Sequence, residues 1–196
     1  MRAAPVLVLS LLVASCGTNP ATTATVSPAG SPTTVASAPR IQQPPVTPPT
    51  PPGTNLPAFS CADTSGGKTG VANAITARVV ELTGYDRFVL QFDTTVPSYT
   101  VKRQASPVFT YGASGQTITL SGTSGVLVDV QSATGANTFT GSIDLTHGEY
   151  VVLKEARQTQ DFEGHLSWGL GLGKPACLRA FTLADPARLV VDFSTA

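Results

Sequence analysis

Between Ile75 and Phe193 apolar residues recur at every second position in short runs, and Gly, Ser, Asp and Pro separate the runs. That period of two is a strand period and excludes a helical core. In Arg87-Phe88-Val89-Leu90-Gln91-Phe92 the side chains of Phe88, Leu90 and Phe92 share one face, while Arg87, Val89 and Gln91 share the other. A strand with one side on a core has this pattern. Candidate strands run over 75–82, 87–93, 99–104, 117–120, 126–132, 150–157, 165–172, 178–183 and 188–193. Short strands at this spacing predict an all-β fold, an antiparallel β-sandwich, over residues 59–196. Order is expected to begin near Phe59 or Cys61, and the stretch suits one domain.

Two of these segments echo one another: Asp86-Arg87-Phe88-Val89-Leu90-Gln91-Phe92 and Ala187-Arg188-Leu189-Val190-Val191-Asp192-Phe193. Each follows a turn signal, Gly84-Tyr85-Asp86 in one case and Ala184-Asp185-Pro186 in the other. The echo predicts two equivalent strands at the centres of facing sheets, with Leu189, Val191 and Phe193 turned inward. Chance similarity of two amphipathic strands is the competing explanation.

Ahead of the domain the chain changes character. A single Arg2, the apolar run Val6 to Leu12 and the small residues before Cys16 form an export signal over residues 1–15, too short to span a bilayer. Val13-Ala14-Ser15-Cys16 has the form of a lipobox, which makes Cys16 the expected site of lipidation. A plain cleaved signal with a chance cysteine is the alternative. Acyl chains on Cys16 hold a protein to a membrane face at about 0.8 kcal/mol per buried methylene, so two or three make a durable anchor. Residues 16–58 are then a stalk of Pro, Thr, Ser and Ala, with Pro pairs at 44–45, 48–49 and 51–52. Such a tract lacks the apolar surface to offset ordering, and in polyproline form, at about 3.1 Å per residue, it reaches on the order of 100 Å. The expected location is the extracytoplasmic face of the cell membrane.

The chain carries 12 basic and 12 acidic residues and no net charge, which leaves no basic patch for nucleic acid. With Cys16 acylated, Cys61 and Cys177 remain as a pair in an oxidising compartment. A disulfide is the simpler account and two buried thiols the alternative. His147 and His165 show no ligand spacing with the cysteines, so no metal is expected.

No catalytic constellation stands out. Gly112-Ala113-Ser114-Gly115 and Gly122-Thr123-Ser124-Gly125 lack the spacing of a nucleophile elbow and read as turns. Gly169-Leu170-Gly171-Leu172-Gly173-Lys174 is followed by Pro175 where a P-loop needs Ser or Thr, and reads as a strand end or bulge. Asp161 and Glu163 are too close in sequence to flank a glycosidic bond with ease, and turn-capping is the plainer role. No enzyme and no cofactor are expected.

For binding, Trp168 near Asp161, Phe162 and Glu163 is a candidate sugar platform, with a core position as its alternative. Arg87 and Arg188, outward on the echoed strands, are candidates for peptide carboxylates or for pairing with Asp93 and Asp192 on neighbouring strands.

Three blocks of sequence carry a resemblance: Gly84-Tyr85-Asp86-Arg87-Phe88-Val89-Leu90-Gln91-Phe92-Asp93; Asp161-Phe162-Glu163-Gly164 with Trp168-Gly169-Leu170-Gly171-Leu172; and Phe181 to Phe193. Over residues 61–196 the chain resembles the AMIN-like domain of actinobacterial lipoproteins. That group is similar to the AMIN domain, a β-sandwich attached to N-acetylmuramoyl-alanine amidases and to pilus secretins. The resemblance implies a non-catalytic module that associates with peptidoglycan. The alternative is a scaffold that recruits an envelope protein through an exposed strand edge. The amidase that such a module usually delivers is missing from this chain, and residues 106–146 add no family signature.

Overall fold

The computed structural model describes residues 55–196, so the expected leader, Cys16 and the expected stalk as far as residue 54 lie outside the described residues. Among the described residues there are thirteen strands and no helix. In chain order they are β1 (Thr64–Gly66), β2 (Ala72–Leu82), β3 (Tyr85–Phe92), β4 (Tyr99–Gln104), β5 (Val108–Tyr111) and β6 (Gln116–Thr119). The rest are β7 (Ser124–Gln131), β8 (Ala133–Thr134), β9 (Asp144–Thr146), β10 (Leu153–Phe162), β11 (His165–Leu172), β12 (Leu178–Leu183) and β13 (Arg188–Ser194). One sheet of six has the order β1-β4-β7-β11-β10-β9, a second of five has the order β12-β13-β3-β2-β8, and β5-β6 form a separate hairpin. All pairings are antiparallel except β2 with β8.

The sandwich core follows from the alternation. Phe88, Leu90 and Phe92 of β3 and Leu189, Val191 and Phe193 of β13 meet Val126, Val128, Val130, Leu166, Trp168, Leu170 and Leu172 from the other sheet, and all of them are buried. Each such side chain contributes roughly 1.5 to 3 kcal/mol on leaving water. Asp86 sits at 0% exposure among them, and its Oδ2 accepts the N–H groups of Val152 and Leu153 at 2.7 and 2.8 Å. A carboxylate thereby stitches the start of β10 to β3 across the interior.

All nine expected strands are present, β4, β11 and β12 with the expected ends and the other six with shifted ones. The four additional ones, β1, β5, β8 and β9, have two to four residues each. So few residues cannot display an alternation. The echoed strands, expected in facing sheets, are instead neighbours in one sheet, with Asp192 directly opposite Arg87. Strands with the same in/out pattern bury the same face, and side-by-side pairing keeps those faces on one core.

Two local devices shape the domain. After Gln131 the chain leaves the six-stranded sheet and enters the five-stranded one at Ala133, turning on Ser132 with φ 59°. The β10–β11 hairpin closes on Glu163 and Gly164, both at positive φ (50° and 77°), the geometry of a type I′ turn.

The Gly-rich β11 proves to be a seat as well as a strand end. Trp168, Leu170 and Leu172 point inward, so Gly169 and Gly171 leave the outer surface bare. A Cβ on Gly169 would lie 2.9 Å from the Phe109 ring and one on Gly125 2.8 Å from it. The β5-β6 hairpin lies on this flat strip with Phe109 buried, and Gly112 N–H donates to the Thr159 carbonyl at 2.8 Å. The residues without a family signature are therefore partly a cover for one sheet.

Cys61 and Cys177 form a disulfide, with their Cα atoms 4.2 Å apart across a sequence separation of 116. Beside it Ser60 and Leu178 exchange two backbone hydrogen bonds, of 2.8 and 2.9 Å, at the edge of β12. Four residues on, β1 pairs with β4 of the other sheet. Residues 59–66 are thus a strap from one sheet to the other.

Candidate functional site

The outer face of the five-stranded sheet carries a row of charges set by register. Arg179 of β12, Asp192 of β13 and Arg87 of β3 stand directly opposite one another. Asp192 has no solvent exposure and accepts three charged hydrogen bonds. Arg87 Nε reaches Oδ1 at 2.6 Å, Arg87 Nη2 reaches Oδ2 at 2.9 Å, and Arg179 Nε reaches Oδ2 at 2.7 Å. The bond to Asp192 holds the Arg87 pKa above its ordinary value, and burial only partly opposes this. Arg87 is therefore charged throughout the working pH range.

Aromatic rings alternate with the two guanidinium groups. Arg179 lies 4.4 Å from the Phe59 ring centroid and 4.9 Å from that of Tyr85; Arg87 lies 5.2 Å from Tyr85 and 5.5 Å from Phe181. The sequence Phe59, Arg179, Tyr85, Arg87, Phe181 is a ladder of ring and cation in which each contact is within cation–π range. Within this cluster two guanidinium charges against one carboxylate leave one unit of positive charge. Nη1 of Arg87 and both Nη atoms of Arg179 make no hydrogen bond among the described residues. Guanidinium forks of this kind match carboxylates in shape, and the rings offer apolar faces beside them.

Of the residues singled out by sequence, only Arg87 belongs to this ladder. Arg188 is on the same sheet face, opposite Gln91, and its Nε donates to the Pro186 carbonyl at 3.1 Å rather than to an aspartate. Trp168 is buried at 0% exposure, tilted against Phe88 and Phe139 with centroids 5.4 and 5.8 Å away. It takes the core alternative, and a residue without exposure offers no platform to a sugar ring. Asp161 accepts the Thr134 hydroxyl at 2.8 Å and the Gly135 N–H at 2.9 Å, which pins the loop after β8. Glu163 stands exposed in its turn at the end of β10, and nothing brings it to the arginines. Asp93 pairs with Asn73, whose backbone N–H is the main reason its pKa is lowered.

Arg179, Tyr85, Phe59 and Phe181 were not singled out from sequence. For Arg179 and Phe181 a signal exists: both fall on the outward parity of Leu178–Leu183. Phe59 offers none, because it stands before the first strand and reaches the ladder only through the strap. Among the described residues no group of His, Cys, Asp and Glu is placed to hold a metal.

Fold and face together define an all-β sandwich with one outer surface built of cations and rings. The AMIN-like domain model matches residues 72–195, more than half of the chain. The chain belongs to the AMIN-like domain family, and membership carries a general association with the cell wall and a place in the cell envelope. Comparison with curated proteins finds no match.

Proposed function

We propose that this protein is a non-catalytic envelope lipoprotein whose AMIN-like domain associates with peptidoglycan through the outer face of β12, β13 and β3. Cys16 supplies the lipid anchor and residues 16–58 the spacer between membrane and wall. The observation that carries the proposal is the ladder itself: unused guanidinium donors, an excess of one positive charge within the cluster and three half-buried rings beside them. Peptidoglycan offers the complement, stem-peptide carboxylates beside sugar rings with apolar faces.

The test is co-sedimentation of the full chain, in mild detergent, with protein-free sacculi at low and high salt. Retention at both salts, weaker at the higher one as a partly exposed ionic contact demands, is expected. A chain left in the supernatant at both salts overturns the proposal and shifts attention to a protein partner.

A further inference from the structure

The family match begins at residue 72, yet one rung of the ladder, Phe59, lies thirteen residues before it. Nothing in the core holds that ring. Phe59 is half-buried, its centroid is 6.3 Å from that of Tyr85, and its cation partner Arg179 is the nearest of the four cation–ring contacts at 4.4 Å. Its position is set two residues further on, by the Cys61–Cys177 disulfide and the paired hydrogen bonds between Ser60 and Leu178. Cys177 immediately precedes β12, and Arg179, the residue under the ring, is the second residue of that strand.

The far side of the strap is fixed as well. Arg103 Nη1 donates to the Cys61 carbonyl at 2.6 Å, and Asp63 accepts the Arg103 backbone N–H at 2.9 Å. Loss of the disulfide leaves the Phe59 end held by the two Ser60–Leu178 hydrogen bonds alone and so loosens it, while β1 keeps its pairing with β4.

We propose that Phe59 is a positioning and contact residue of the wall-binding face, held over Arg179 by the Cys61–Cys177 disulfide, so that this chain completes its binding site with a segment outside the family domain. The inference rests on the assignment of the ladder as the wall-binding face. With Phe59 in place, Arg179 lies against two rings, 4.4 and 4.9 Å from their centroids, while its Nε is held by Asp192. Without it, the guanidinium gains conformational freedom that binding must then remove. The site takes a carboxylate-bearing ligand with an apolar ring beside the acid group, and it is fully formed only in an oxidising compartment.

The experiment measures retention of the full chain on protein-free sacculi for wild type, Phe59→Leu, Phe59→Tyr and the Cys61→Ser/Cys177→Ser double variant, with the melting temperature of each. Phe59→Leu is expected to weaken retention about threefold, the size of one exposed cation–π contact, at a melting temperature near wild type. Phe59→Tyr restores it, because the ring and not mere bulk is required. The double variant, measured below its lowered melting point, matches Phe59→Leu. Wild-type retention in Phe59→Leu overturns the inference and leaves the ladder as the wall-binding face. Absence of retention in wild type overturns that assignment and the inference with it. Should the double variant not fold, the contrast between Leu and Tyr decides alone.

Discussion

The outer faces of the two sheets have been put to opposite uses. On the six-stranded sheet Gly125, Gly169 and Gly171 strip the surface of side chains, and the β5-β6 hairpin lies down on it with Phe109 as its key. On the five-stranded sheet the corresponding surface is crowded with large side chains, two arginines and three aromatics, and no element covers it among the described residues. A covered face contributes stability through contact. An open face built of cations and rings keeps desolvation-sensitive groups half in water, where a ligand can complete their bonding. The contrast teaches where recognition belongs in this molecule and where it does not.

The largest effect is expected from the keystone of the open face. Asp192→Ala leaves two guanidinium groups packed together without their carboxylate and should cost about 3 to 5 kcal/mol in denaturant unfolding. A cost near zero would mean that solvent already carries those charges and that the ladder is loosely held. On the covered face Phe109→Ala should cost about 3 kcal/mol while leaving sacculus retention unchanged, because the hairpin is cover and not site. Retention lost in step with Phe109 would erase the distinction between the two faces.

Gly171→Val follows, at roughly 1 to 3 kcal/mol of overpacking, since its side chain would run into the backbone of Ser121. Faster hydrogen exchange should appear first in residues 108–119, and uniform destabilisation would contradict a local role. Arg87→Lys keeps the charge and loses the fork. Retention should fall about tenfold, the equivalent of one charged hydrogen bond, with a smaller change in stability.

The smallest effect lies on neither outer face. Tyr99 is buried, and desolvation raises its pKa above the ordinary 10.0. A folded-state value above the unfolded one means that its contribution is complete below pH 10.0 and is lost as pH rises through the folded value. Tyr99→Phe should therefore flatten the alkaline limb of the stability profile and leave neutral pH untouched, as a pH series of melting temperatures will show.

Sequence alone gave access to different depths of the two faces. Period-two alternation is strong where a strand has one wet and one dry side, so β3, β4, β11, β12 and β13 could be located from residues, and the inward sets of β3 and β13 named. In β11 the inward Trp168 and the outward Gly169 and Gly171 share the two parities of one strand, but what rests on the glycines is not legible, since β5 is too short to announce itself and β6 alone does not show a hairpin. Arg87 was visible as an outward cation. Pairing with Asp192 on a neighbouring strand was one of its two expected roles, and the adjacency of the echoed strands, a fact of sheet order that neither strand encodes by itself, decides for it. Trp168 went to the core because its neighbours on the same parity, Leu166, Leu170 and Leu172, are all core residues. Phe59 was the least legible, as only the disulfide and the Ser60–Leu178 bridge beside it, both outside any expected strand pairing, tie it to the ladder.

Hydroxyl-radical footprinting of the full chain, with and without soluble peptidoglycan fragments, tests the division of labour most directly. The account predicts that Phe59, Tyr85 and Phe181 become protected while exposed Tyr111 on the hairpin and Phe162 at the tip of β10 do not. Protection of Tyr111 with Tyr85 and Phe181 unchanged would place recognition on the opposite sheet and contradict it.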